Sequence, residues 1–105
     1  MKELTVAELK VMRDNNTPHQ LIDIREQYEV DIATIGGEHI PMNLVVGSIE
    51  KLMRDVPVIV YCRSGGRSSA VVDALEKRFG FDNVYNLKGG IIAWSDTIDP
   101  TVAKY

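Results

Sequence analysis

Cysteine is the scarcest of the reactive residues in this chain, with a single copy in 105 residues. A lone cysteine cannot form an internal disulfide, so nothing in the sequence demands an oxidising compartment. No stretch approaches the ~20 apolar residues that a membrane-spanning helix needs. The first ten residues, MKELTVAELK, are amphipathic and lack the apolar run of a secretory signal. We therefore expect a cytoplasmic protein with no membrane partner.

Positive charge is also in short supply. The chain has 12 lysines and arginines against 15 aspartates and glutamates, which gives a net charge of −3 and a pI near 5.3. Binding to nucleic acid generally needs a basic face, so we expect no nucleic-acid partner. Apolar residues, in contrast, make up 45% of the chain, which suits a soluble globular protein with a core. The length is that of one domain, predicted to span residues 1–105.

Strand and helix patterns alternate along the chain. The clearest strand is Val56–Tyr61, a continuous β-branched run typical of strands buried on both faces. Thr5 and Glu8 fit a capping box at the start of a helix, and Gly80 fits the residue that ends one. The predicted strands are Gln20–Ile24, a brief one within Gly36–Met42, Val56–Tyr61 and Asn83–Leu87. The predicted helices are Val6–Asp14, a single turn at Glu26–Val30, Leu44–Met53, Gly66–Phe79 and Ile91–Ile98. In the helix Leu44–Met53, the side chains expected to face inward are Leu44, Val45, Ile49, Leu52 and Met53.

This alternation predicts an α/β fold of three layers, in which a mainly parallel sheet is covered by helices on both faces. In such sheets ligands bind beyond the carboxyl ends of the strands. Cys62 lies at that position, directly after the clearest strand and just before a helix. The only thiol of the chain is therefore the first candidate for a functional residue.

The segment that follows this strand has a composition that favours an anionic sulfur. Its residues are Cys62, Arg63, Ser64, Gly65, Gly66, Arg67 and Ser68. An ordinary thiol has a pKa of ~8.5. The start of a helix, glycines that let backbone N–H groups turn inward and two permanently charged arginines are all expected to lower it. We predict a nucleophilic cysteine in a cradle for a small oxyanion. The alternative is a structural cysteine beside an ordinary glycine-rich turn.

This segment resembles the active-site loop of rhodanese-like sulfurtransferases. Residues 21–29, 37–41 and 84–94 also resemble sequence signatures of that family, in the same order. Many members have Gly-Ala after His-Ile-Pro, where this chain has Met42-Asn43. Together with the tail at 89–105, that variant is similar to the rhodanese modules fused behind adenylating enzymes for ubiquitin-like sulfur carriers. The resemblance implies a sheet of five parallel strands and a persulfide on the cysteine.

The resemblance also implies a reaction. Cys62 would take the outer sulfur of a thiosulfate-like donor and pass it to a thiol, to cyanide or to a sulfur-carrier protein. The persulfide would be the only intermediate carrier, so no separate cofactor is expected. Because guanidinium groups suit oxyanions, Arg63 and Arg67 are expected to hold the sulfonate end of the donor. No metal site is expected, since His19, His39 and Cys62 lack ligand spacing.

Four residues outside the loop are given supporting or passive roles. Asp23 and Arg25, at a strand end, are predicted to pair and to brace the active-site loop. A surface ion pair of little energetic value is the alternative for them. Glu29 is interpreted as a solvated helix residue, and His39 as a structural histidine. On this interpretation the chemistry belongs to residues 62–68.

Two other functions stay open. Cysteine-dependent phosphatases and arsenate reductases also surround an anion with a cysteine and an arginine, but their pattern resembles Cys, five residues, Arg. Here four residues separate Cys62 from Arg67, and Tyr61 takes the place of the histidine that precedes such loops. The other possibility is a protein-binding module that delivers sulfur to a carrier partner by contact.

Overall fold

Five short strands form one sheet in which every neighbouring pair is parallel, in the order β1-β5-β4-β2-β3. The structure is a computed structural model that describes residues 1–105. The strands are β1 Glu3–Leu4, β2 Gln20–Asp23, β3 Glu38–His39, β4 Val58–Tyr61 and β5 Val84–Leu87. The helices are α1 Val6–Asp14, α2 Gln27–Ile32, α3 Gly66–Phe79 and α4 Gly90–Thr97, with two 3₁₀ helices at Met42–Leu44 and Val46–Lys51.

The central strand β4 divides the core into two halves. Side chains alternate between the faces of a strand, so Val58, Val60 and Cys62 join one apolar cluster. Ile59 and Tyr61 join the other. The first cluster contains residues of α3, and the second contains residues of α1 and α4. The predicted parallel sheet with helices on both faces is thereby confirmed. None of the helices is both long enough and apolar enough to cross a bilayer.

The residues that begin helix α1 and end helix α3 are the ones that the sequence predicts. At the start of α1, Thr5 Oγ1 accepts the backbone N–H of Glu8, and the Glu8 carboxylate accepts the backbone N–H of Thr5. This capping box satisfies two backbone donors that the first turn leaves without partners. At the other end of the sheet, α3 stops at Gly80, which adopts a φ of 72°. Both helices have the predicted bounds.

The sequence missed one strand, and one of the predicted helices is wrong. Strand β1 was not predicted, since its two residues are too few to show a pattern; it pairs with Asn86 and Leu87. The helix predicted over Leu44–Met53 is instead two 3₁₀ helices, with a non-helical Ser48 inside the second. Leu44 and Met53, expected to face inward, are about half exposed at 53% and 49%. Gly47 weakens an α-helix at this point, and the segment ends as short 3₁₀ turns.

Candidate active site

Cys62 leaves the end of β4 and is 1% exposed. The loop behind it turns back at Gly65, whose φ of 109° is one that residues with a side chain rarely adopt. This turn directs the Gly65 N–H at the Cys62 sulfur, with a nitrogen–sulfur distance of 3.1 Å. The backbone N–H of Ser68 points at the same sulfur from the first turn of α3, at 3.4 Å. The loop therefore surrounds the sulfur with backbone donors.

These donors change the acidity of the thiol. Burial raises the pKa of Cys62, but hydrogen bonds from the Ser68 hydroxyl and from the N–H groups of Ser68, Gly65 and Ser64 outweigh burial, and the pKa is lowered. The start of α3 adds the positive end of a helix dipole on the same side. The geometry thus favours a thiolate, the reactive form of cysteine.

The loop is fixed from behind by the start of α4. The backbone N–H groups of Ile91 and Ile92 donate to the carbonyls of Cys62 and Arg63, both at 3.1 Å. A Cβ atom on Gly90 would lie 2.5 Å from each of these carbonyl oxygens. Only glycine permits so close an approach. Gly90 therefore lets the start of α4 hold the loop backbone in place.

Asn86 is a site residue that sequence reasoning missed. It lies on β5, is 3% exposed, and its Nδ2 donates to the Gly65 carbonyl at 3.2 Å. Its Oδ1 lies within hydrogen-bonding distance of the Ser68 hydroxyl, which is also 3.3 Å from the Cys62 sulfur. A polar side chain in an otherwise apolar strand was the available signal, because buried polar groups almost always have a hydrogen-bonding task.

The second loop arginine is held by a carboxylate. Arg67 donates from both terminal nitrogens to the two oxygens of Glu29, at 2.8 and 2.7 Å. The Glu29 side chain is 3% exposed, so its interpretation as a solvated residue is wrong. Hydrogen bonds from Arg67 are the main reason why the pKa of Glu29 is lowered to about 2, while burial opposes that shift. Part of the donor capacity of Arg67 is thereby used inside the protein.

Arg63 differs from Arg67. It is exposed, and its guanidinium forms no hydrogen bond or ion pair with the protein. Its nearest aromatic contact is the ring of Tyr105, with the guanidinium carbon 5.1 Å from the ring centroid. A cation over an aromatic face keeps its N–H groups available at the edge. Arg63 is therefore the loop arginine whose N–H groups are all available to a ligand.

Asp23 and Arg25 form a buried, two-pronged ion pair. Arg25 donates from Nε and Nη2 to the two oxygens of Asp23, at 2.9 and 2.8 Å. Their side chains are 2% and 0% exposed, so the alternative of a surface pair is wrong. The pair forms no hydrogen bond with residues 62–68. Arg25 is linked to Glu29, the partner of Arg67, by its own bond to the Glu29 carbonyl at 3.4 Å and by the Tyr105 hydroxyl, which accepts from Arg25 and donates to Glu29.

Two further groups complete this edge of the sheet. The hydroxyl of Tyr61 donates to Asp23 at 2.9 Å, and burial is the main reason why the pKa of Tyr61 is raised to about 12. His39 Nε2 lies 2.6 Å from the carbonyl of Arg25, which is a structural contact. No group of three or more His, Cys, Asp or Glu side chains lies close enough to hold a metal ion.

Comparisons with known proteins point to one family. Residues 5–97 match the rhodanese-like domain. A protein named "Sulfurtransferase" from Allochromatium vinosum is 38% identical over 84 residues, which cover 79% of this chain and 78% of that protein. The "Probable adenylyltransferase/sulfurtransferase MoeZ" of Mycobacterium tuberculosis is 34% identical over 105 residues, which cover 97% of this chain. This chain spans about a quarter of that longer relative, at 26%.

A solved structure agrees. The rhodanese-like domain protein from Staphylococcus aureus superposes with a TM-score of 0.83 and 28% identity, covering 100% of this chain and 99% of that one. Sequence and fold together show that the chain belongs to the rhodanese-like domain family.

Proposed function

We propose that this protein is a sulfurtransferase in which Cys62 carries sulfur as a persulfide, from a thiosulfate-like donor to a thiophilic acceptor. The observation that carries this proposal is the Cys62 sulfur itself. It is 1% exposed, yet it lies within hydrogen-bonding distance of two backbone N–H groups and one hydroxyl. A cysteine that only fills space in a core has no use for three donors. Membership of the family supports sulfur transfer in general.

The proposed first step is a displacement at sulfur. The Cys62 thiolate attacks the outer sulfur of thiosulfate, and the bond between that sulfur and the sulfonate sulfur breaks. Sulfite leaves with the electron pair, and Cys62 becomes a persulfide anion. The backbone N–H donors that stabilise the thiolate also stabilise the new anion, as an oxyanion hole stabilises an intermediate. In the second step, the acceptor attacks the outer sulfur and returns Cys62 to the thiolate.

The two loop arginines have different proposed tasks. Arg63 has free N–H groups and binds the sulfonate of the donor, for which a guanidinium is well suited. Arg67 is already paired with Glu29, so it contributes charge near the sulfur and a fixed loop conformation. Asp23 and Arg25 support this arrangement from below, through Tyr105 and Glu29.

The acceptor is proposed from chemistry and from relatives. A cellular thiol suffices, and cyanide serves in the test tube. The relative MoeZ is named an adenylyltransferase as well as a sulfurtransferase, which supports a sulfur-carrier protein as another acceptor. The persulfide on Cys62 is the only carrier in this proposal, with no separate cofactor, no metal and a cytoplasmic location.

Steady-state kinetics with thiosulfate and cyanide test the proposal. A persulfide that forms in one step and is consumed in another gives parallel lines in double-reciprocal plots. Cys62→Ser, which is close in size, should have no measurable activity. Intersecting lines, or activity in Cys62→Ser, would contradict the proposal. Hydrolysis of p-nitrophenyl phosphate in place of sulfur transfer would favour the phosphatase alternative, despite the short loop.

A further inference from the structure

Ser68 has one hydroxyl proton and three atoms that compete for it. Its Oγ lies 3.3 Å from the Cys62 sulfur, 3.3 Å from the Gly65 carbonyl and 2.5 Å from Asn86 Oδ1. The Gly65 carbonyl already accepts from Asn86 Nδ2 and from the backbone N–H of Ser69. A serine hydroxyl can donate only once. The choice is therefore between the sulfur and the amide oxygen.

The orientation of the Asn86 amide is fixed by its other end. The Gly65 carbonyl can only accept, so the Asn86 group that faces it at 3.2 Å is the NH₂. The amide oxygen then faces Ser68, and no other donor of the protein reaches it. Because Asn86 is 3% exposed, water is not at hand to replace Ser68. A buried acceptor that loses its only partner costs free energy.

We propose that Asn86 is a positioning residue, which competes with the Cys62 sulfur for the single hydroxyl proton of Ser68 and so limits how strongly the loop stabilises the free thiolate. This inference rests on the proposed function for its role in sulfur transfer. The competition itself follows from the contacts of Ser68 and Asn86 alone.

The competition has a different outcome in each state of the cysteine. In the neutral thiol, the S–H can donate to Ser68 and the Ser68 hydroxyl to Asn86, so every group is satisfied. In the thiolate, the hydroxyl either turns to the sulfur, which leaves Asn86 without a donor, or stays and leaves the sulfur with backbone donors only. In the persulfide, the negative charge moves to the outer sulfur, and the hydroxyl can return to Asn86. Asn86 therefore disfavours the empty thiolate relative to the sulfur-loaded form.

Alkylation by iodoacetamide as a function of pH tests this inference, because only the thiolate reacts. Asn86→Ala removes the competing oxygen. At pH values below the titration midpoint of Cys62, alkylation should therefore be about fivefold faster, a ratio that corresponds to the free energy of one ordinary hydrogen bond. Asn86→Asp also loses the NH₂ donor to Gly65, but it keeps an oxygen that faces Ser68. It should react no faster than the wild type, since the competing oxygen remains and the added negative charge itself disfavours the thiolate. Equal acceleration in both variants, or none in Asn86→Ala, would overturn the inference.

A double-mutant cycle shows whether the effect passes through Ser68. In a Ser68→Ala background there is no proton to compete for, and Asn86→Ala should leave the alkylation profile unchanged. An effect of the same size in that background would assign Asn86 a purely structural role and overturn the inference. Urea midpoints of all variants establish that they are folded. Alkylation needs no sulfur donor, so its outcome is independent of whether the proposed persulfide forms.

Discussion

Two charged regions meet at the carboxyl edge of the sheet, and they use their charges in opposite ways. In the active-site loop, residues 62–68, backbone donors point at a single sulfur and Arg63 keeps its own donors free. In the charge cluster, defined as Asp23, Arg25, Glu29, Arg67 and Tyr105, the side chains satisfy one another. All five N–H groups of Arg25 have acceptors at 3.4 Å or less.

The difference shows where a ligand can bind. Most donors of the charge cluster are already paired inside the protein, so its main contribution is to hold a fixed conformation. In the loop, by contrast, backbone N–H groups surround the reactive sulfur of Cys62, and the guanidinium of Arg63 is free to bind a ligand. We therefore expect substitutions in the cluster to act mainly on stability, and substitutions at the free end of the loop to act mainly on the donor.

The largest effect is expected when the buried pair is broken. Arg25→Ala leaves Asp23 charged and buried without a cationic partner, so the free energy of unfolding should fall by about 3–5 kcal/mol. The matched control is Lys10→Ala, which breaks an exposed pair with Asp14 and should cost at most about 0.5 kcal/mol. Urea unfolding at pH 7 measures both. Equal losses of unfolding free energy in the two variants would show that the buried pair contributes no more to stability than the exposed one.

The Glu29–Arg67 pair should give stability a dependence on pH. The pKa of Glu29 is about 2 in the folded protein, against 4.5 as the ordinary value. A lowered pKa stabilises the fold above the ordinary value, and that contribution is lost as pH falls from about 4.5 towards 2. Because the Arg67 side chain is 38% exposed, we expect a contribution of about 2 kcal/mol.

Glu29→Gln isolates this contribution, because the other carboxylates titrate in both proteins. The difference in free energy of unfolding between wild type and variant should be largest at pH 6 and should shrink by pH 3. Urea unfolding at the two pH values measures it. A difference that stays constant would mean that the charge of Glu29 contributes nothing to the fold.

The two loop arginines should separate binding from stability. Arg63→Ala removes the free guanidinium, so KM for thiosulfate should rise about tenfold, as expected when one charge-assisted contact is lost. Its urea midpoint should not move. Arg67→Ala unpairs Glu29, so its urea midpoint should fall. If Arg67→Ala raised KM while Arg63→Ala did not, the assigned roles would be reversed.

The smallest effect is expected at the link between the two regions. Tyr105→Phe removes the hydroxyl that joins Arg25 to Glu29 but keeps the ring beside Arg63. The free energy of unfolding should fall by about 1 kcal/mol, as for one hydrogen bond. KM for thiosulfate should not change. A large rise in KM would show that the hydroxyl positions Arg63 as well as the cluster.

The active-site loop and the charge cluster also differ in how far the sequence alone could predict them. The loop is seven consecutive residues, and its glycine, helix start and donors were predictable because they act over a few positions. The continuous apolar strand β4 and the capped helices α1 and α3 were predictable for the same local reasons.

Within the cluster, the pairing of Asp23 with Arg25 was predicted from their neighbouring positions. The other contacts were not predictable, because their partners are distant in sequence. Glu29 and Arg67 are 38 residues apart, and Arg25 and Tyr105 are 80 apart. The pattern of α2 even points the wrong way, since Tyr28 and Ile32 are 64% and 50% exposed while Glu29 is buried. The Glu29 carboxylate can be buried at this position because Arg67 lies opposite it. That proximity is visible only in the folded structure.

Intact-protein mass spectrometry tests the central claim most directly. After incubation with excess thiosulfate and removal of small molecules, the wild type should gain one sulfur, about 32 Da, as a covalent intermediate requires. Cyanide should remove the added mass, and Cys62→Ser should never acquire it. An unchanged mass in the wild type, or the same gain in Cys62→Ser, would contradict the assignment of Cys62 as the residue that carries the transferred sulfur.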